Sequence, residues 1–229
     1  MALKHIPPNV GRYRAVTPQS ELEKYVECYE TPRYGADPGK SRVIRHPELS
    51  LIEPGDDYLD VGCGRGENLR YVRQLQPAAT VRGTEMVPRL QGEFVQDARL
   101  PELAGVEPAD VVSCYEVLEH LPVHDVIPAI DRLVELTRKV LVLSTNDMPS
   151  RAFGGTTPLH LSRFPQHWWI KRLEEVCMKR GGALTFRPQR KIVVREDIRR
   201  FWMFMLDFRD GYENRRINIT MLFGRREAG

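Results

Sequence analysis

The chain has 229 residues, 41% of them hydrophobic and 28% charged, with a net charge of +3. This suits one globular domain with a small appendage, and Lys and Arg spread thinly along the chain argue against nucleic acid as an obligatory partner. No apolar run is long enough to span a bilayer, the opening MALKHIPPNV lacks the pattern of a secretion signal, and Cys28, Cys63, Cys114 and Cys177 form no C-x-x-C pair. A cytoplasmic protein with reduced thiols is expected.

The first seventeen or so residues are basic and proline-bearing. A helix is predicted from near Ser20, a good N-cap, to Tyr29, with Leu22, Tyr25, Val26 and Tyr29 on one face. TPRYGADPGK reads as a loop, and a second short helix is predicted around Ser41–His46. Residues 1–50 thus form a helical appendage, either a packing cap on a sheet or a lid with Tyr25, Tyr29, Arg33 and Tyr34 as contacts. Residues 51–229 form the main domain.

Glu53-Pro54-Gly55 is a turn, and Tyr58–Val61 a short apolar strand carrying Asp60. Gly62, Gly64 and Gly66 then fall on alternate positions before a helical pattern from Glu67 to Leu75, stopped by Pro77. Glycines there let the backbone turn tightly and let a ligand approach, and the N–H groups opening the helix favour polar or anionic groups. Thr80–Thr84 is a second strand ending at Glu85, placed to accept hydrogen bonds from ribose hydroxyls. Arg89–Gln91 is a short helical or turn segment, and Gly92–Ala98 a third strand whose Asp97 is placed to accept from an adenine amino group. Ala109–Tyr115 is a fourth strand, running into Glu116-Val117-Leu118-Glu119-His120-Leu121-Pro122.

The run DVGCGRG, with Glu85, Asp97 and ADVVSCYEVLEHLP in order and spacing, resembles the class I S-adenosylmethionine-dependent methyltransferases. Within them it is similar to the small-molecule branch that includes quinone-biosynthesis O-methyltransferases. The resemblance covers about Tyr58 to Asn146. It implies an α/β fold: a doubly wound, seven-stranded, mostly parallel sheet with the last strand antiparallel. It also implies S-adenosylmethionine as cofactor, held by Asp60, Gly62, Cys63, Gly64, Gly66, Glu85, Met86, Asp97, Ala98, Tyr115 and Glu116.

Further on, a helix is predicted over Val126–Thr137, with Ile127, Ile130, Leu133, Val134 and Leu136 inward, and a fifth strand over Lys139–Ser144. Loops containing Thr145–Pro149 and Gly154-Gly155 follow at the ligand edge. A helix over Trp168–Arg180 ends at Gly181-Gly182. Leu184–Phe186 and Ile217–Phe223 are the sixth and seventh strands. Between them lies an insertion at about 191–216, in which Arg195–Arg209 reads as an amphipathic helix exposing Phe201, Trp202, Phe204, Met205 and Phe208. Its apolar face suits core packing, the interface of a homodimer or a wall of the acceptor pocket.

Methyl transfer to a hydroxyl needs alignment and a base with a pKa near neutrality, most often histidine. His120 lies just beyond the fourth strand and is either that base or a structural residue. His160 is the other candidate: TPLHLSRFP with Trp168-Trp169 resembles methyltransferases found beside glycan-assembly enzymes, where such a loop overhangs the acceptor. His5, His46, His124 and His167 lack a placement for this role. Asp147 and Asn146 with His120 or Glu119 offer a Mg²⁺ site, but their spacing does not compel it and no metal is expected. An N/D-P-P-Y/F motif is absent after the fourth strand, which counts against base methylation in nucleic acids. The expected activity is O-methylation of a small or sugar-bearing molecule; N- or carboxyl-methylation and a non-catalytic partner subunit are the alternatives.

Overall fold

β1 (Asp57–Val61), β2 (Thr80–Thr84), β3 (Val95–Gln96), β4 (Ala109–Tyr115) and β5 (Thr137–Asn146) form a parallel sheet in the order β3-β2-β1-β4-β5. The computed structural model describes residues 17–30, 52–77, 79–146, 158–179, 183–192, 201–207 and 216–224. By chain contacts it divides at Asp37 into a small N-terminal unit and the main body. In the first, α1 (Pro18–Glu30) starts two residues earlier than expected. Thr17 and Ser20 cap it reciprocally, the Ser20 N–H donating to Thr17 Oγ1 at 3.1 Å and the Thr17 N–H to Ser20 Oγ at 3.0 Å. The predicted helix at 41–46 and the contacts Arg33 and Tyr34 lie outside the described residues.

In the main body, helices cover both faces of the sheet. α2 (Glu67–Leu75) sets Leu69 and Val72, one turn apart, against Tyr58, Val81, Val111, Val140 and Val142. On the other face α3 (Val123–Leu136) and α4 (Gln166–Lys179) pack Val126, Ile130, Leu133, Trp169, Leu173 and Val176 over Leu59, Val61, Val112, Cys114, Leu141 and Leu143. Alternate residues of β4 and β5 therefore serve opposite cores, which is why both strands read as unbroken apolar runs. At the amino ends of the strands charges tie the sheet together. Arg138 bridges Asp57 at 2.6 Å and Asp110 at 3.1 Å, and Lys139 reaches Asp56 at 2.5 Å.

The far half of the sheet corrects three expectations. The sheet has eight strands, not seven, continuing past β5 as β7 (Phe201–Asp207), β8 (Arg216–Gly224) and β6 (Ala183–Ile192). The segment read as an amphipathic helix is β7 over Phe201–Asp207. It runs antiparallel to β5 from Val140↔Asp207 to Asn146↔Phe201, so the helical reading fails over those seven residues; the rest of the expected helix lies outside the described residues. An aromatic-rich run of seven residues fits a doubly covered strand as well as a helix, and the open edge of β5 decides between them. The antiparallel member is consequently β7 and not the last strand: β8 reverses against β7 and lies parallel to β6. The third strand is also shorter than expected, two residues, because Gly92 and Val95 bridge each other in a tight turn before it.

Leu133 is fully buried in the α3 core. Leu133→Ala is expected to destabilise the protein by about 2–5 kcal/mol, read from the urea midpoint at constant slope; an unmoved midpoint would show that α3 is not packed on the sheet.

Candidate active site

After β1 the chain crosses to β2 on one side, and β4 lies on the other, so the carboxyl ends of β1 and β4 flank a topological switch point. The turn leaving β1 is left-handed at Gly62, Gly64 and Gly66, with φ of 71°, 54° and 72°. A Cβ built on Gly62 falls 2.6 Å from Val117 Cγ2, so the position takes glycine for space as well as for conformation.

The amides of this turn go elsewhere than a ligand. The Gly62 and Cys63 N–H groups both donate to the Thr84 carbonyl, at 2.9 and 3.0 Å, and Gly66 donates to Cys63 O at 2.9 Å. Gly64 donates to Glu85 Oε2 at 3.0 Å. Glu85 is 7% exposed, and its Oε1 accepts the Val87 N–H at 3.0 Å. Burial pushes its pKa up, while these backbone donors pull it partly back. Beside it Met86 is half-buried and Ala98 buried. Asp97 stands outside this cluster, its side chain 55% exposed and 3.7 Å from Arg99 Nε.

Asp60 is the buried end of a polar chain. Ser113 Oγ donates to its Oδ1 at 2.6 Å, and the Tyr58 hydroxyl lies 2.7 Å from the same Ser113 oxygen. Asn68 Nδ2 donates to Asp60 Oδ2 at 3.2 Å. Desolvation raises the carboxyl to about 7 despite these donors, and burial likewise pushes the Cys63 thiol up. Sequence reading missed Ser113. Its signal is a lone hydroxyl in the apolar run of β4, on the residue that pairs in register with Asp60.

At the end of β4, Tyr115 is half-buried and Glu116 takes φ of 56°, rare for a side-chain-bearing residue. Its N–H donates to the carbonyl and the hydroxyl of Ser144, both at 3.1 Å, and Ser144 Oγ donates back to Glu116 Oε1 at 3.2 Å. A 3₁₀ turn, Leu118–His120, follows at once. The segment 159–162 is laced to it: Ser162 N–H donates to Glu119 O at 2.8 Å, Ser162 Oγ to Leu121 O at 2.6 Å, and His120 Nδ1–H to Leu159 O at 3.1 Å. This brings the two candidate histidines together, His120 and His160 meeting edge to face with ring centroids 4.7 Å apart. One oxygen of the fully buried Glu119 and one ring nitrogen from each histidine lie within 4.8 Å of one another. Phe164 stacks on Trp168 at 3.8 Å and its carbonyl accepts the Trp169 indole N–H at 3.2 Å, anchoring the segment to α4.

His124 and His167 are exposed. His5, His46, Asp147 and the side chain of Asn146 lie outside the described residues.

The family described as "Methyltransferase domain" matches residues 40–186, more than half of the chain. The chain belongs to this family, and its methyl donor is S-adenosylmethionine. No curated protein matches this methyltransferase. Among solved structures it is similar to the Burkholderia thailandensis 1,6-didemethyltoxoflavin-N1-methyltransferase, with 18% identity, 72% of this chain and 81% of that chain covered, and a TM-score of 0.50. The Synechocystis magnesium protoporphyrin IX methyltransferase is comparable at 17% identity, 85% and 88% coverage and a TM-score of 0.50. Both were crystallised with S-adenosylhomocysteine. A Haloferax volcanii methyltransferase in complex with the Trm112 activator matches at 15% identity, 70% and 75% coverage and a TM-score of 0.51. At such identities these likenesses speak to the fold.

The Asp60 carboxyl, near 7 in the fold against 3.8 ordinarily, holds a proton between those values that the unfolded chain has lost. The stability this confers is complete below about pH 4 and disappears as pH rises through 7. Asp60→Asn removes that titration. The stability of the wild type relative to this variant is therefore expected to fall from pH 4 to 7 in urea titrations; a difference independent of pH would place the carboxyl at its ordinary value.

Proposed function

We propose that this methyltransferase acts on a hydroxyl of a small or sugar-bearing molecule and that the His120–His160 pair removes the hydroxyl proton. The observation that carries the reading is the meeting of the two rings at 4.7 Å beyond the end of β4.

The donor, when bound, supplies a sulfonium methyl that needs no further activation. The residues present fit it. The Glu85 carboxylate accepts the Gly64 and Val87 N–H groups and, with about four lone-pair sites, can also accept from ribose hydroxyls. Met86 and Ala98 offer apolar surface for an adenine and Asp97 an acceptor at the rim. Gly62, Cys63, Gly64 and Gly66 let the ligand lie close to the backbone, with Asp60 fixing the turn through Asn68. Tyr115 and Glu116 border the donor from the β4 side.

Proton removal falls to the histidines. A carbonyl accepts only, so the contact with Leu159 O puts a proton on His120 Nδ1 and makes Nε2 its basic atom. A hydroxyl brought to the pair gives up its proton to an imidazole nitrogen as the oxygen takes the methyl. The bond to the oxygen forms while the bond to sulfur breaks. The free thiols of Cys28, Cys63 and Cys114 suit a reducing, cytoplasmic setting, and among the described residues no helix is long and apolar enough to cross a membrane.

Glu85→Ala is expected to weaken S-adenosylhomocysteine binding by about tenfold or more in calorimetry; unchanged affinity would remove Glu85 from the donor site. His120→Ala and His160→Ala are expected to lower kcat on hydroxyl acceptors by about 10²–10⁴ with donor affinity preserved. Full turnover in both variants would move the acceptor to a group that carries its own lone pair, such as an amine.

A further inference from the structure

Glu119 is the most deeply buried acid of the His120–His160 neighbourhood. Its side chain is wholly enclosed, yet it sits in a 3₁₀ turn of only three residues whose next member is His120. An enclosed carboxylate carries a desolvation cost that a leucine-sized apolar group would not. What surrounds the carboxylate is informative. His120 and His160 each bring a ring nitrogen within 4.8 Å of it and of one another. From β4 the Cys114 thiol also faces it, held neutral by burial and by the charges of Asp60 and Glu119. Either imidazole can become a cation and answer the charge of Glu119.

The backbone holds this arrangement rigidly. The Glu119 carbonyl accepts the Ser162 N–H, and the Ser162 hydroxyl donates to the Leu121 carbonyl. His120 is turned by the Leu159 carbonyl. Three separate bonds thus fix the loop bearing His160 to the turn bearing Glu119, leaving little freedom to either side chain.

From this juxtaposition we infer that Glu119 is a positioning residue for the histidine pair: its enclosed carboxylate orients the imidazoles and stabilises the imidazolium formed when the acceptor proton arrives. The inference rests on the base role given above to the pair. Glu119 touches neither donor nor acceptor. A neutral imidazole becoming a cation beside a carboxylate in a water-poor setting is favoured as any ion pair is, and the base is stronger for it.

The test uses the full chain with a hydroxyl acceptor. In Glu119→Gln, kcat at its pH plateau is expected to fall tenfold or more, and the acidic limb of the pH profile of kcat/KM to move to lower pH, because the histidines lose the charge that raised their basicity. The Kd for S-adenosylhomocysteine is expected to stay within twofold. A second measurement needs no variant: in NMR titration of the wild type, His120 or His160 is expected to titrate at higher pH than the exposed His124 and His167. An unmoved limb with kcat within twofold, or both paired histidines titrating at or below the exposed ones, would overturn the inference. So would activity abolished by a chelator and restored by Zn²⁺, which would make Glu119 and the histidines metal ligands. Failure of the base reading looks different, since His120→Ala and His160→Ala would then both turn over normally while the NMR result stood.

Discussion

Two amides on one carbonyl hold the crevice open: Gly62 and Cys63 both bind Thr84 O, while Gly64 reaches across to the Glu85 carboxylate. These bonds tie the turn after β1 to the end of β2 and fold it back from the switch point. Without them the glycine run would lose its ties to the end of β2. With them, α2 starts at a defined place, Asn68 reaches Asp60, and Glu85 is aimed by backbone donors on both oxygens. The proposed donor side of the site is thus a property of how β1 and β2 end.

The proposed acceptor side is built by a different constraint. Glu116 is forced into a left-handed conformation and held there by three contacts with Ser144, so the chain leaves β4 sharply and coils at once into the turn bearing Glu119 and His120. Ser162 then binds that turn from the other direction. Burial energetics on the α3 and α4 face hold the parts: Leu118 and Phe164 are enclosed there, Leu159 is buried as well, and each anchors a backbone segment next to a polar side chain. The strain at Glu116 is of the kind that structures keep where geometry matters more than stability.

Much of this was legible in the sequence, and what was not has a physical reason. The glycine turn, Glu85, the extent of β4 and the apolar β5 could be read because local chemistry decides them. Left-handed turns demand glycine, and doubly covered strands demand unbroken apolar runs. That two histidines forty residues apart would face each other could not be read, because tertiary hydrogen bonds to the Glu119 and Leu121 carbonyls bring them together. Ser113 was hidden by its neighbours, being one hydroxyl in an apolar strand. The largest error, a helix in place of β7, came from reading a short aromatic run by its own pattern. Its conformation is set by the unsatisfied edge it pairs with.

That edge has a consequence for the chain as a whole. From Val140 to Asn146 the central strand β5 is sealed on its outer side by β7 alone, a segment more than fifty residues downstream. A chain cut short before Phe201 would display bare main-chain donors and acceptors along the apolar run of β5, a ready template for other strands. The strand β7 therefore acts as insulation for the methyltransferase core, guarding its edge from a distance.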